Sequence, residues 1–168
     1  MSGSSGGSSL SAMASRRIQS EMQDWIKNPP EGCCLESAPE VITKWTILMQ
    51  CPNKSRGCPA IYEGELFRLQ VKFSDRYPLE PPEIIFLHPS PIHPHVYTNG
   101  HICLDILYDG SNGAFSPALT VSKLCLSLRS MLASNTDKSR PQGDADYCAR
   151  VGSRSPQQTK WEFHDDTV

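Results

Sequence analysis

The sequence lacks a long hydrophobic run, a secretory signal and an excess of charge of either sign. No apolar stretch in its 168 residues approaches the roughly 20 that a membrane-spanning helix needs. The opening MSGSSGGSSLSAM has no apolar core of the kind found in signal peptides. The formal net charge of −2 provides no general attraction to nucleic acid or to an anionic membrane. We therefore expect neither nucleic acid nor membrane among the partners.

The cysteines lack the spacing of a disulfide scaffold or a structural zinc site. Their number is seven, which is odd, and no secretion signal accompanies them, so we expect reduced thiols and a cytoplasmic and/or nuclear location. Cys33 and Cys34 are adjacent, and six residues lie between Cys51 and Cys58, so neither pair has C-x-x-C spacing. Cys103 differs from the others because polar and titratable residues surround it.

Local patterns predict a helix, a β-meander and a second long helix. Ser15 is a candidate N-cap of the first helix, which Pro29 and Pro30 end. Its predicted apolar face consists of Ile18, Met22, Trp25 and Ile26. Alternating residues predict strands in VITKWTILM and LFRLQVKF, followed by a short strand in EIIFL. SPALTVSKLCLSLRSMLAS is typical of a helix with Thr120 as N-cap, and DADYCARV is a short helix at best.

These elements predict one domain with less regular ends. We expect an α+β domain over residues 14–150, which is long enough for a core. Residues 1–13 are interpreted as a flexible Gly/Ser-rich leader, or as non-native residues ahead of a native start at Met13. Residues 151–168 are expected to form a loosely ordered polar tail.

The loop HPHVYTNGHICLDIL, residues 93–107, concentrates reactive side chains and has no sustained periodicity. Long loops within compact domains are usually functional. One alternative is a metal site, although the ligand types present do not have a familiar spacing. Another is a thiol hydrolase with His95 or His101 as base, although no protease signature surrounds Cys103. A third is a cysteine that carries an acyl group, since a thioester remains reactive toward amines.

Four stretches together resemble the ubiquitin-conjugating (E2) family over about residues 14–150. They are the opening helix ending in NPP, YPLEPPEIIF, HPHVYTNGHICLDIL and SPALTVSKLCLSLRSML, in the order and spacing of the family. The resemblance implies the ubiquitin-conjugating (UBC) fold, an antiparallel β-meander flanked by helices. It also implies that Cys103 accepts ubiquitin as a thioester from an activating enzyme and transfers it to an amine. Neither a cofactor nor a metal is implied, because the upstream activating enzyme uses the ATP.

The family resemblance also identifies an active-site loop that contains His93, Pro94, Asn99 and Gly100. Most members have His-Pro-Asn, with the Asn eight residues before the cysteine, whereas this sequence has His95 at that position. The family's Asn is credited with steadying the site and the tetrahedral oxyanion. A histidine can still donate one hydrogen bond, but its ring is wider and can titrate. His95 is therefore a candidate catalytic residue, with bracing of the loop as the alternative.

This departure, the RP pair at residues 140–141 and the ending TKWEFHDDTV resemble the W-type branch of the family. Members of that branch attach ubiquitin to the α-amino group of substrates with flexible N-termini. Many other family members have an acidic residue just past the long helix, where it helps to deprotonate an incoming lysine. Ungapped counting places Ser139 there, with Asp137 two residues away. DGSNGAFSPA, residues 109–118, is longer than the W-type pattern.

The same mapping implies contacts with the activating enzyme and with RING or U-box ligases. The positions that match the family's contact surface are Arg16, Arg17, Leu79, Ser116, Pro117 and Ala118. Packing within a proline-rich turn is the alternative for Leu79. Two further alternatives concern the whole protein. It could conjugate a ubiquitin-like modifier, or it could be a non-catalytic binding module with the same fold.

Overall fold

A four-stranded antiparallel sheet forms the centre of the fold. The computed structural model describes residues 9–51 and 61–163. The strands are β1 (Cys33–Leu35), β2 (Lys44–Gln50), β3 (Leu66–Lys72) and β4 (Glu83–Phe86), in the order β1-β2-β3-β4. The helices are α1 (Ala12–Lys27), α2 (Val121–Ser134) and α3 (Asp144–Val151), and short 3-10 turns span Asp105–Leu107 and Pro156–Gln158. The predicted meander and the predicted α+β class are therefore confirmed.

The alternation of β2 and β3 produces the core. Trp45, Ile47 and Met49 of β2 are buried, and they pair in register with Val71, Leu69 and Phe67 of β3. Successive strand residues point to opposite faces, so one apolar face of the sheet is continuous across both strands. α2 contributes a buried stripe to the same hydrophobic cluster, formed by Leu124, Leu128 and Leu132. None of the described helices is long and apolar enough to cross a membrane.

The first helix begins earlier than its sequence predicts. Ser11 is the N-cap, because its side-chain oxygen accepts a hydrogen bond from the N–H of Ala14 at 3.1 Å. The prediction of Ser15 as N-cap is wrong, since Ser15 lies within the helix and its N–H donates to the Ser11 carbonyl. The predicted domain boundary after residue 13 is likewise too late by at least two residues. Residues 1–8 of the predicted leader lie outside the described residues.

The last described segment is packed, which corrects the prediction of a loosely ordered tail from residue 151. Val151 still belongs to α3, and the indole N–H of Trp161 donates to the Pro156 carbonyl at 3.0 Å. Trp161 is only 7% exposed, and its ring lies 5.1 Å from Tyr108 and 5.6 Å from Tyr147 between centroids. The large apolar area that the Trp161 side chain buries stabilises the packing of this otherwise polar segment. Residues 164–168 lie outside the described part of the chain.

Candidate active site

Cys103 lines an open groove of about 400 Å³ between its own loop and the end of α2. Cys103 is half-buried, and His95 beside it is exposed. The groove is lined by His93, Pro94, His95, Cys103, Leu104, Met131, Ser134 and Asn135. The structure thus brings together the cysteine and the complete His-Pro-His triplet. A groove that is open to solvent and surrounds a thiol can admit both an extended peptide end and an attacking amine.

The backbone explains why Cys103 and His95 are neighbours despite their separation in sequence. The N–H of Cys103 donates to the His95 carbonyl at 2.8 Å, and the N–H of Tyr97 donates to the His101 carbonyl at 2.9 Å. Val96 lies between these bonds and is fully buried, with bridges to His93 and Ile102. The loop is therefore folded back on itself around a buried valine.

Asn99 and Gly100 form the turn of this folded loop and do not line the groove. Gly100 has a φ of +89°, and a Cβ there would lie 1.9 Å from the Phe86 carbonyl oxygen. Only glycine fits this backbone conformation and this close approach. The side-chain oxygen of Asn99 accepts from the N–H of His101 at 3.0 Å, while its amide nitrogen is buried without a partner among the described residues. The predicted loop residues therefore divide into a groove pair, His93 and Pro94, and a turn pair.

His93 braces the loop with both ring nitrogens. Its Nδ1 accepts from the N–H of His95 at 2.9 Å, so its Nε2 carries the proton that faces the Met131 carbonyl at 3.3 Å. Burial lowers the pKa of His93 to about 4, so the ring is neutral near pH 7. Since neither nitrogen is free, this ring is not available as a metal ligand. Among the described residues, no group of three His, Cys, Asp or Glu side chains could hold a metal ion.

The Cys103 thiol holds its proton tightly. Burial raises its pKa to about 11, and the negative charge of Asp105 adds to the effect. The thiol is therefore protonated near pH 7, although the thiolate is the nucleophile. Any reaction in which this sulfur is the nucleophile must therefore first remove the proton.

The two histidines weighed as bases for Cys103 differ in their surroundings. His101 is buried, and its Nδ1 lies 2.7 Å from the Tyr147 hydroxyl. His95 lines the groove, with its ring centroid 5.6 Å from that of His93. No imidazole is hydrogen-bonded to the Cys103 thiol in the part of the chain that the structure describes. The pairing of a base with a nucleophile that a hydrolase needs is thus absent there.

The segment just past α2 does not direct a carboxylate into the groove. Asp137 accepts a hydrogen bond from the Ser139 hydroxyl at 2.9 Å, and neither residue is among the described residues that line the groove. The groove instead ends at Asn135, the C-cap of α2, whose amide donates to the Tyr62 hydroxyl at 2.6 Å. Sequence reasoning missed both Tyr62 and Asn135, because each follows a predicted element and has no motif of its own.

The predicted contact surface for ligases and the activating enzyme lies on other elements. Leu79 is 58% exposed, and Arg16 of α1 is exposed. Ser116, Pro117 and Ala118 form an exposed turn before α2. Arg17 is half-buried and donates to the Leu119 carbonyl at 3.3 Å, which connects α1 to that turn.

A buried carboxylate, Glu21, joins the three segments that contribute to this surface. Its oxygens accept from the guanidinium of Arg17 at 2.7 Å, from the N–H of Val121 at 2.9 Å and from the Tyr77 hydroxyl. These donors belong to α1, to the start of α2 and to the proline-rich turn that contains Leu79. Glu21 is 6% exposed, and a buried carboxylate needs such donors. Sequence reasoning missed it; the signal was an acidic residue at a helix position whose neighbours in the helical pattern are apolar.

Comparison with known proteins identifies relatives of this chain over most of its length. The sequence profile of the family described as "Ubiquitin-conjugating enzyme" matches residues 17–162. A probable ubiquitin-conjugating enzyme E2 W of Dictyostelium discoideum is 47% identical over 159 residues, which are 95% of this chain and 100% of that protein. The ubiquitin-conjugating enzyme E2 W of Caenorhabditis elegans is 39% identical over 162 residues, with the same two coverages. The crystal structure of the ubiquitin-conjugating enzyme E2 UbcA1 from Agrocybe aegerita is 36% identical and has a TM-score of 0.72, covering 84% of this chain and 96% of that one.

These matches extend over most of the chain and agree with one another. The α+β arrangement described above is the UBC fold that the sequence predicts. The chain belongs to the ubiquitin-conjugating (E2) enzyme family, and to its W type.

Proposed function

We propose that Cys103 carries ubiquitin as a thioester and transfers it preferentially to the α-amino group of flexible protein N-termini. The observation that carries this proposal is the groove around Cys103, whose described lining contains histidine, serine and asparagine but no carboxylate. The proposal concerns both the residue that carries ubiquitin and the kind of amine that receives it.

The chemistry consists of two acyl transfers. In the first, the Cys103 thiol loses its proton and attacks the thioester carbonyl that joins ubiquitin to the activating enzyme, whose thiolate leaves. In the second, a neutral amine attacks the new thioester carbonyl, the Cys103 thiolate leaves and the amine nitrogen gives up a proton, which leaves an amide. No cofactor enters either step, because the ATP is used by the activating enzyme.

We assign to His95 the role that the family's Asn has in stabilising the oxyanion. His95 is exposed, lines the groove and follows Pro94, which fixes the backbone before it. Its ring can donate a hydrogen bond toward negative charge that develops on the thioester oxygen. His93 is assigned a bracing role because both of its nitrogens are already used. Asn99 and Gly100 are assigned to shaping the loop.

The preference for an α-amine follows from protonation. At pH 7.4 roughly a quarter of α-amines with a pKa near 7.8 are neutral, against roughly 0.1% of lysine amines with a pKa near 10.4. A lysine therefore gains most from a carboxylate that removes its proton, and an α-amine gains least. Asp137 is bonded to Ser139 outside the groove, which supports an acceptor that needs no such base.

We also propose that the exposed surface around Leu79 binds RING or U-box ligases and the activating enzyme. Leu79 and the turn of residues 116–118 are exposed, and Glu21 holds their supporting segments together. Exposed apolar patches rimmed by polar residues mark protein–protein contact sites, and Leu79 and Ala118 are the apolar residues proposed for this one.

The decisive experiment charges the enzyme with ubiquitin and then follows discharge onto two peptides. One peptide has a free, flexible N-terminus and no lysine, and the other is N-acetylated and has one lysine. We expect a thiol-sensitive ubiquitin adduct that Cys103→Ser cannot form, because a serine gives at most a stable ester. The α-amine rate should level off above roughly pH 8, while any lysine rate continues to rise toward roughly pH 10.

The outcomes separate the parts of the proposal. Equal or faster discharge onto the lysine peptide at neutral pH would reject the α-amine preference alone. Charging that persists on another cysteine in Cys103→Ser would reject the assignment of the carrier residue. His95→Asn should narrow the preference if the ring shapes the acceptor site, and it should leave the preference unchanged if the ring only braces the loop.

A further inference from the structure

We propose that Arg140, in the connection between α2 and α3, and Asp144, the first residue of α3, are positioning residues that clamp the loop of residues 90–98 and thereby hold His95 against Cys103. This inference deepens the proposed function and rests on it for the assignment of Cys103. Neither residue lines the groove, so both act through the backbone of the loop.

Arg140 binds the loop from one side with a single guanidinium. Its Nη1 donates to the Pro91 carbonyl at 2.8 Å, to the Ser90 hydroxyl at 3.1 Å and to the Val96 carbonyl at 3.2 Å. Its Nη2 donates to the Ser90 carbonyl at 3.3 Å. The planar fork of arginine can serve several acceptors in fixed directions, which a lysine ammonium cannot reproduce.

Asp144 binds the same loop with the opposite chemistry. Its two carboxylate oxygens accept from the N–H of Thr98 at 2.8 Å and from the Thr98 hydroxyl at 2.5 Å. Arg140 thus donates to carbonyl and hydroxyl oxygens of the loop, and Asp144 accepts from an N–H and a hydroxyl of the loop. The two residues hold the loop on both sides of the His93–His95 triplet, at residues 90, 91, 96 and 98.

The clamp connects to the reacting residues through two backbone bonds. Val96, whose carbonyl accepts from Arg140, donates its N–H to the His93 carbonyl at 3.0 Å. His95, the residue before it, accepts from the N–H of Cys103 at 2.8 Å. Displacement of Val96 would therefore move the His95 ring relative to the thiol. Misplacement of a catalytic group by about 1 Å can lower a rate by about 100-fold.

A purely structural role would have a different consequence. It would lower the melting temperature of the variants but leave the chemistry of the folded protein unchanged. A positioning role changes the rate at temperatures where the variants are fully folded, and it leaves the KM for the acceptor peptide unaltered.

The test compares Arg140→Gln, Arg140→Lys and Asp144→Asn with two controls on α3, Arg150→Gln and Asp146→Asn, which remove charges of the same signs from exposed positions. The first readout is single-turnover discharge of the ubiquitin thioester onto the α-amine peptide, well below each melting temperature. We expect Arg140→Gln to lower the maximal rate by roughly tenfold or more at unchanged KM. Asp144→Asn, which keeps one acceptor oxygen, should lower it less, and the controls should match the wild type.

The second readout does not depend on ubiquitin. It is the rate at which iodoacetamide alkylates Cys103, measured by peptide mass mapping at one fixed pH. Loosening of the loop exposes the half-buried thiol, so Arg140→Gln should alkylate severalfold faster than the wild type and the controls.

Folded Arg140→Gln with wild-type discharge and wild-type alkylation would overturn the proposal. If that variant does not fold, Arg140→Lys and Asp144→Asn decide the question by the same criteria. If the wild type cannot be charged with ubiquitin, the proposed function fails. The clamp is then tested by alkylation alone: faster alkylation of Cys103 in Arg140→Gln supports it, and an unchanged rate overturns it.

Discussion

At the scale of single residues, burial decides the protonation state of two side chains that line the groove. It keeps Cys103 protonated and His93 neutral at the same pH. A protonated thiol is a poor nucleophile, so the proton has to leave before the sulfur can attack. A neutral His93 keeps the Nδ1 lone pair that accepts from the His95 backbone. The sequence identifies both residues, but their pKa values depend on packing that sequence patterns do not describe.

The first prediction concerns the thiol of Cys103. With a pKa of about 11, its alkylation rate should rise about tenfold per pH unit from 8 to 10 and level off only near 11. The measurement is iodoacetamide labelling followed by mass mapping of the Cys103 peptide. The same peptide in urea is the control, and its rate should level off near the ordinary thiol value of about 8.5. A plateau below pH 9 in the folded protein would contradict the prediction.

The second prediction concerns His93 and stability in acid. Its folded pKa of about 4 lies below the ordinary histidine value, so the unfolded chain binds more protons between the two. The resulting stability is present above roughly pH 6.5 and is lost as the pH falls toward 4, by up to about 3 kcal/mol. The free energy of unfolding should therefore fall in this range for the wild type and fall less steeply for His93→Gln.

The compared quantity is the change in the free energy of unfolding per pH unit. It can be compared even if His93→Gln is less stable than the wild type at every pH. Burial also lowers the pKa of His101, so part of the acid dependence should remain in His93→Gln. The free energy of unfolding is measured by urea titration at several pH values. If it falls with decreasing pH equally steeply in the two proteins, His93 does not contribute to the acid dependence.

At the scale of elements, strong periodicity was sufficient for prediction and isolated features were not. The alternation in β2 and β3 predicts one apolar face for each strand, and the structure confirms both faces. The apolar spacing in α2 predicts a stripe of Leu124, Leu128, Met131 and Leu132, of which the three leucines are buried and Met131 is half-buried. β1 has only three residues, too few for a pattern, and it forms because it pairs with β2. Ile26, predicted on the buried face of α1, is 72% exposed. The buried residues of that helix are Ala14, Ile18, Glu21 and Trp25, so the buried face includes Glu21 and leaves out Ile26.

The packed C-terminal segment shows the same limit. Trp161, which is buried, and Phe163, which is half-buried, are separated from the apolar runs by polar residues, so no local pattern marks them as part of the packed fold. They lie against tyrosines that are far away in sequence: the ring of Tyr108 is 5.1 Å from that of Trp161 and 6.0 Å from that of Phe163. The side chain of Asn112, in the loop of residues 109–118, donates to the Trp161 carbonyl at 3.4 Å. The loop and the segment are therefore supported by each other.

The third prediction tests this packing. Trp161→Ala should lower the free energy of unfolding by about 3–5 kcal/mol, because it removes a large buried ring and leaves a cavity. Glu162→Ala is the matched control in the same segment, since Glu162 is exposed and its change should be within about 0.5 kcal/mol. Urea unfolding measures both. Equal stability of the two variants would mean that the segment does not contribute to the fold in solution.

At the scale of the whole molecule, the groove around Cys103 and the proposed partner surface are formed by different segments. The site rests on the loop of residues 93–107 and the end of α2, whereas the partner surface rests on α1, the proline-rich turn and the start of α2. α2 contributes to both, with Val121 at one end bonded to Glu21 and Asn135 at the other end lining the groove. The motifs predicted residues for each region. They did not predict Glu21, which joins the segments of the partner surface, or Arg140, which binds the loop beside the groove.

The fourth prediction concerns the partner surface. Leu79→Ala should lower the ligase-stimulated discharge rate by roughly tenfold, which is about 1.4 kcal/mol, because truncation of a central apolar contact costs more than about 1 kcal/mol. Leu66→Ala is the matched control, because Leu66 is also 58% exposed. Leu66 is the first residue of β3, whereas Leu79 lies beyond the last residue of that strand. The ligase should stimulate thioester discharge by Leu66→Ala as much as discharge by the wild type.

The measurement is thioester discharge with and without a RING or U-box ligase, together with the melting temperature of each variant. Ala118→Asp provides an independent variant, since it places a charge on the exposed turn before α2 without removing a buried contact. Both surface variants should melt close to the wild type, because neither side chain belongs to the buried core. If Leu79→Ala instead loses thermal stability while ligase binding is unchanged, Leu79 packs the proline-rich turn. The contact surface would then have to lie elsewhere on the molecule.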